Sequence, residues 1–326
     1  MHFWVNILNL ETKRNFMLNA LRKYKFPYMT YNFFHREKLA HNIPLYKKYG
    51  LKKKYYSSVS SSDFKNLPEN TRVFNLDSVR NQAYYQQLNE ESKRSVDEFD
   101  TNGYAIIKNF ISPENVDTIN SQIDELVENG TLKFKYINKL MFAIHHSELI
   151  SNAGTNPNFL SFLSSLFDGK AKLFQSINFL HGSQQKTHSD SIHMTTYPLG
   201  GLIGVWIALE DIDEQNGALH YIPGSHKLPY FMNEDYDNSG NSFKIGEKGY
   251  KAYEEFIDSK VKKLGLKKEV FHAKKGDALI WHANILHGGE PHLDKNRTRK
   301  SLVYHYFDQE SICYHEVTER PALFNL

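Results

Sequence analysis

LIGVWIALEDI (Leu202–Ile212), EQNG (Glu214–Gly217), ALHYI (Ala218–Ile222) and PGS (Pro223–Ser225) follow one another closely, and their reading decides the fold. Two runs rich in β-branched and aromatic residues are punctuated by turn formers, the grammar of strand, turn and strand. The same grammar recurs in AKLFQSINFL (Ala171–Leu180), in ALIWH (Ala278–His282) after KKGD (Lys274–Asp277), and in SLVYHYF (Ser301–Phe307). No helical βαβ repeat lies between these runs, and no GxGxxG or P-loop pattern occurs. Short strands joined by turns and longer loops predict an antiparallel barrel or jelly roll.

Upstream, GYAIIKNF (Gly103–Phe110) reads as a short β-rich run. Ser112-Pro113-Glu114 then supplies a capping hydroxyl and a first-turn proline. Val116, Ile119, Ile123 and Leu126 recur at helical steps, and Asn129-Gly130 ends the pattern. A second helix is predicted from Asn156-Pro157 through Leu160, Leu163 and Phe167 to near Gly169. The fold class is therefore mainly β with flanking helices. Residues 1–95 read as a partly helical N-terminal extension. Within it SSVSSSD (Ser57–Asp63) is expected to be a flexible connector, and Leu76–Phe99 a helical lead-in. Residues 96–326 form the β domain, with a polar insertion around 228–269 that has the character of a substrate loop.

Bulk properties narrow the class. The 326 residues are 40% hydrophobic with a formal charge of +3, a globular balance without a long block of one sign. Lys52–Lys54, Lys262-Lys263 and Lys267-Lys268 read as solvated faces, so no nucleic-acid partner is expected. Cys313 stands alone, which excludes internal disulfides and multi-thiolate zinc sites and suits the cytoplasm. The opening MHFWVNILNLETKRNF lacks a basic leading region and meets Glu11, Lys13 and Arg14 early, so no signal peptide is expected. No apolar run reaches the length of a membrane span.

Histidine and carboxylate remain as candidate metal ligands. H-x-D occurs at His188-Ser189-Asp190 and at His292-Leu293-Asp294. On a strand, residues two apart point the same way, so either pair could present an imidazole and a carboxylate together. The second pair follows Pro291 in a polar loop. The first lies between confident strands and has a later partner, His287-Gly288, at the end of a β-run. Two imidazoles and one carboxylate leave three positions open, an arrangement suited to iron that binds a co-substrate and then O₂. Arg299 follows by a short loop, and its guanidinium matches carboxylate geometry. Ser301, two residues on, shares its face. Other histidines in β-runs (His220, His272, His282, His305) read as structural, and His193 as facing substrate or supporting a ligand.

With those residues in view, the chain resembles the phytanoyl-CoA dioxygenase family of Fe(II)/2-oxoglutarate oxygenases, whose core is a double-stranded β-helix (jelly-roll, cupin-like). The resemblance runs from FDTNGYAIIKNFISPE (Phe99–Glu114) to RKSLVYHYF (Arg299–Phe307). It is carried by HSD (His188–Asp190), VWIALEDIDEQNGALHYIPGSHK (Val205–Lys227) and GDALIWHANILHGG (Gly276–Gly289). The resemblance implies iron on His188, Asp190 and His287, the distal carboxylate of 2-oxoglutarate on Arg299 with Ser301, and Trp206 and Asn178 lining the cofactor. Gly289 departs from relatives that carry a small hydroxyl residue there. Halogenating relatives replace the carboxylate of Asp190 with a small residue, so hydroxylation is implied, with release of succinate and CO₂. The substrate is expected to be a small molecule or a carrier-linked one, and oligomeric state is left open. Two other readings stand beside this one. A catalytically silent jelly-roll binding protein would lack a ligand or the arginine. A cupin-like enzyme with another divalent metal would need no anchor for a dicarboxylate.

Overall fold

The computed structural model describes residues 21–68, 71–136 and 138–324. Residues 1–20, part of the expected extension and the whole of the stretch read as unlike a signal peptide, lie outside the described residues. The described residues form thirteen strands: β1 Tyr104–Ile107, β2 Phe134–Lys135, β3 Lys139–Met141, β4 Ala171–Phe179, β5 Thr195–Tyr197, β6 Leu202–Ala208, β7 Leu219–Tyr221, β8 Glu269–Phe271, β9 Ala278–His282, β10 His287–Gly289, β11 Ser301–Asp308, β12 Ile312–His315 and β13 Arg320–Pro321. The major sheet has the order β1-β9-β6-β11-β4-β3-β2, and the smaller sheets are β10-β7-β8 and β13-β12-β5. Every pairing is antiparallel. This is a jelly roll with flanking helices.

Alternation along the central strands explains the layers. All seven residues of β6 are buried because both of its faces are covered. Ile203, Val205 and Ile207 meet the helical layer, where Val116, Ile119, Ile123, Phe162 and Leu163 pack. Trp206 and Ala208 face the opposite way, toward Leu219, Tyr221 and Phe271 of the small sheet. Each large side chain buried in these layers stabilises the fold by ~1.5–3 kcal/mol relative to exposure.

The two expected helices span Pro113–Glu128 and Pro157–Leu166. Ser112 caps the first by accepting from the Asn115 amide, and Asn156 caps the second through the amides of Asn158 and Phe159. The lead-in is not one helix. It breaks into Leu76–Arg80, Ala83–Gln86 and Glu90–Asp97; Asn75 caps the first and Asn89 the third, each accepting from an amide three residues on.

The serine stretch also differs from expectation. Ser60 and Asp63 form a reciprocal capping box, Ser61 donates to the Glu316 carboxylate at 2.7 Å, and the Val59 amide donates to the Glu319 carbonyl. Val59 is fully buried. These bonds dock the described part of residues 1–95 on the third sheet, where Leu45, Tyr46 and Phe64 pack on Tyr197, Ile312 and Tyr314. Tyr197 stacks on Phe64 at 4.4 Å. The polar insertion carries the helix Gly249–Lys263, whose Tyr253 and Ile257 pack beside Ile192, Ile222 and Leu286. That helix brings two tyrosines to the site described next.

Candidate metal centre

His188 and His287 form a two-residue antiparallel bridge. The His188 amide donates to the His287 carbonyl at 2.9 Å, and the His287 amide donates back at 2.8 Å. The backbone thereby fixes both imidazoles side by side, with ring centroids 4.5 Å apart. Asp190 does not continue a strand as the sequence suggested; it opens the 3₁₀ turn Asp190–Ile192. The turn still presents its carboxylate to both rings. Oδ1 lies 3.8 Å from His188 Nε2 and 3.7 Å from His287 Nε2. Ligand atoms of the three residues all fall within 4.8 Å of one another, the one such group among the described residues.

The tautomers are set by the backbone. A carbonyl can only accept, so Nδ1 of His188 donates to the Lys186 carbonyl at 2.8 Å and Nδ1 of His287 to the Ile285 carbonyl at 3.2 Å. Both Nε2 lone pairs then face Asp190, the orientation a metal requires. The Gln185 amide donates to His188 Nε2 at 3.1 Å, in keeping with an unprotonated nitrogen. Burial, reinforced by His287, pushes His188 down to about 3. Burial alone would raise Asp190, but His287, His305 and His188 outweigh it and hold the carboxyl well below the usual range. A neutral imidazole on His188 and an ionised carboxylate on Asp190, with Nε2 of His287 beside them, form a donor set that a divalent cation binds.

Arg299 is 2% exposed. Its Nε donates to the Gly217 carbonyl at 3.0 Å and its Nη1 to Ser301 Oγ at 2.7 Å. Trp206 lies under the guanidinium at 5.1 Å, with its own indole N–H buried and without a partner. Burial lowers Arg299 to about 10, with Glu210 opposing, so it stays charged at neutral pH. No carboxylate pairs with it among the described residues. A buried guanidinium without a counter-anion costs several kcal/mol, which an incoming carboxylate removes. One cavity of about 70 Å³ is lined by the three ligand candidates, Arg299 and Trp206.

Asn178 is not brought to this cavity. Ile177 and Phe179 face it, and alternation along β4 turns Asn178 to the helical side, opposite Leu140 and Leu302. The second H-x-D is also elsewhere: His292 Nδ1 lies 3.4 Å from the His181 carbonyl, away from the triad. His220 is held between Thr187 and Glu290, and His272 is an exposed partner of Glu214. Gly289 has a plain cause, since a Cβ there would meet the Gln184 backbone at 3.0 Å. His193 sits 4.4 Å from the Tyr250 ring and 6.3 Å from that of His188.

Several contributors escaped the sequence reading. Trp281 Nε1 donates to Asp190 Oδ2 at 2.8 Å, and His305 Nε2 lies 3.5 Å from the same oxygen. His305 was legible in principle, since alternation along β11 puts it on the face of Ser301. Tyr250 accepts from Gln185 at 2.8 Å and Tyr253 meets Ser189; both come from the insertion helix, about sixty residues distant, and no local pattern announced them.

The comparisons with known proteins agree. Phytanoyl-CoA dioxygenase domain-containing protein 1 of Danio rerio is 23% identical over 278 residues, covering 67% of this chain and 90% of that protein. The carbocyclase SnoK of nogalamycin biosynthesis, described as non-heme and alpha-ketoglutarate-dependent, superposes with a TM-score of 0.56 at 16% identity, over 70% of this chain and 87% of its own. EctD from S. alaskensis superposes at 0.54 and 15% identity, over 78% and 90%. These two structures share the fold. Fold, triad and the match to a family sequence model together define a 2-oxoglutarate-dependent oxygenase. Within that class the chain belongs to the family described as Phytanoyl-CoA dioxygenase (PhyH), whose sequence model matches residues 99–301.

Proposed function

We propose that this oxygenase hydroxylates a C–H bond of a small-molecule or carrier-linked substrate, with iron(II) on His188, Asp190 and His287 and 2-oxoglutarate on Arg299 and Ser301. The observation that carries the reading is a buried guanidinium lacking a carboxylate partner among the described residues, in the same cavity as two imidazoles and a carboxylate. When bound, iron(II) and 2-oxoglutarate supply the oxidising chemistry, in which substrate, O₂ and 2-oxoglutarate become hydroxylated product, succinate and CO₂.

The chain's own residues do the rest. Arg299 and Ser301 orient a dicarboxylate by its far end. Trp206 walls the cavity and offers a free N–H. Trp281 and His305 hold Asp190 in place. Tyr250 and Tyr253 keep bulk water from the His188 side. Asp190 retains the carboxylate that halogenating relatives lack, which favours hydroxylation. A lone, buried Cys313, its thiol pushed up to about 12 by burial, suits a reducing cytoplasm. Among the described residues no helix is long and apolar enough to cross a membrane.

The test is succinate formation from 2-oxoglutarate in air with added Fe(II), without any substrate. Slow uncoupled turnover in the wild type, lost at least a hundredfold in His188→Ala, is the expected result. Equal rates in folded wild type and variant would overturn the reading.

A further inference from the structure

A larger cavity, of about 420 Å³, lies beside the metal pocket along the same three strands. On β3, Lys139 lines the metal pocket and Met141 the larger cavity. On β11, Val303 and His305 line the first and Phe307 the second. A register shift where β4 pairs with His305 and Tyr306 turns Phe174 to this side, and its ring lies 6.2 Å from that of His305. His305 is the residue 3.5 Å from Asp190, so one pair of rings lies between the two spaces.

The lining has two characters. Phe174, Phe307 and Phe324 form a continuous floor, with Phe174 edge-on to Phe307 at 5.4 Å and Phe307 stacked on Phe324 at 4.3 Å. Lys133, Lys135 and Lys172 stand around it with His145 and His146, and among the described residues no carboxylate lines the space. None of these three lysines forms an ion pair or side-chain hydrogen bond among the described residues. The charge of Lys172 is felt nearby: burial first, and Lys172 second, push His41 down to about 4. Like charges gathered over an apolar floor repel one another and lower the energy of an incoming anion.

We propose that this cavity seats the substrate, an amphipathic carboxylate or phosphate whose head meets Lys133, Lys135 and Lys172 and whose apolar body lies on Phe174 and Phe307, directed toward Asp190. Calling the ligand a substrate rests on the metal-centre reading above.

Calorimetric titration of the full chain with octanoate, octyl phosphate and octyltrimethylammonium tests it. Either anion binds the wild type and the cation does not; the tighter anion assigns the head group. The variant Lys133→Glu/Lys135→Glu/Lys172→Glu, whose first two changes are on exposed side chains, loses at least tenfold in anion affinity, and Phe174→Ala loses it as well. Equal anion affinity in wild type and triple variant, equal binding of the cation, or no anion binding at all would overturn the proposal. The anaerobic visible band of Fe(II) with 2-oxoglutarate, recorded on the same samples, separates the two readings. A band kept by a triple variant that no longer binds anions supports the seat. Anion binding by a wild type without the band overturns the metal-centre reading and with it the word substrate.

Discussion

Ser301 accepts a hydrogen bond from Arg299 Nη1 at 2.7 Å, and this contact, with the Nε bond to the Gly217 carbonyl, fixes the plane of a guanidinium 2% exposed. The rigid fork is what a carboxylate needs to bind bidentately. Removing the charge leaves that carboxylate unpaired, a loss of ~2–5 kcal/mol. Arg299→Ala is therefore expected to raise the 2-oxoglutarate concentration needed for half-saturation by roughly thirtyfold or more. Ser301→Ala, which loses one neutral acceptor, is expected to raise it by about tenfold or less. Titration of uncoupled succinate formation distinguishes the two.

Trp281 acts on the metal through Asp190. Its indole N–H holds Oδ2 at 2.8 Å, leaving Oδ1 toward the histidines. Trp281→Phe keeps the packing and removes the donor. It is expected to weaken metal binding by roughly 10- to 100-fold, as loss of such outer partners commonly does. Fe(II) or Co(II) affinity measured under anaerobic conditions checks this, and an unchanged affinity would contradict it.

Gly204 makes room for that indole. A Cβ there would stand 2.4 Å from the Trp281 ring, so Gly204→Ala must displace the tryptophan or its strand. The expected cost is ~1–3 kcal/mol of stability. Metal affinity is expected to fall in parallel, read by thermal denaturation with and without metal.

Buried neutral histidines make the metal-free protein acid-sensitive. Burial, reinforced by His226, holds His282 down to about 3, and His41 is held at about 4. In the unfolded chain both protonate near 6.5. Between these values the unfolded state binds more protons, so stability falls as pH drops from about 6.5 toward 4. Tm is expected to decline over that window, and less steeply in His282→Asn. An identical decline in the variant would rule His282 out as a contributor.

Much of this was written in the sequence. The alternating runs around Leu202–Ile222 and Ser301–Phe307 dictate strands because only a pleated, buried surface accommodates them, and the class of fold followed. The triad was legible because Ser189 stays extended, so His188 and Asp190 still point to one side where the chain enters the 3₁₀ turn. Asn178 lies on the helical face, because parity along β4 opposes the position that the resemblance implies. The last helix of the lead-in starts afresh at Glu90 because the Asn89 side chain caps it, a local effect the apolar spacing does not register. Tyr250 and Tyr253 were illegible for a different reason. They reach the site through the packing of a distant helix, a tertiary fact without a short-range signature.

The central claim is that one cavity holds a metal on His188, Asp190 and His287 and a dicarboxylate on Arg299. Anaerobic titration of the metal-free protein with Fe(II) and then 2-oxoglutarate tests it most directly, through the weak visible charge-transfer band. The account predicts a band that appears only with both additions, vanishes in His188→Ala, and in Arg299→Ala needs far more 2-oxoglutarate. A folded, iron-loaded wild type with no band, or a band indifferent to His188, would contradict it.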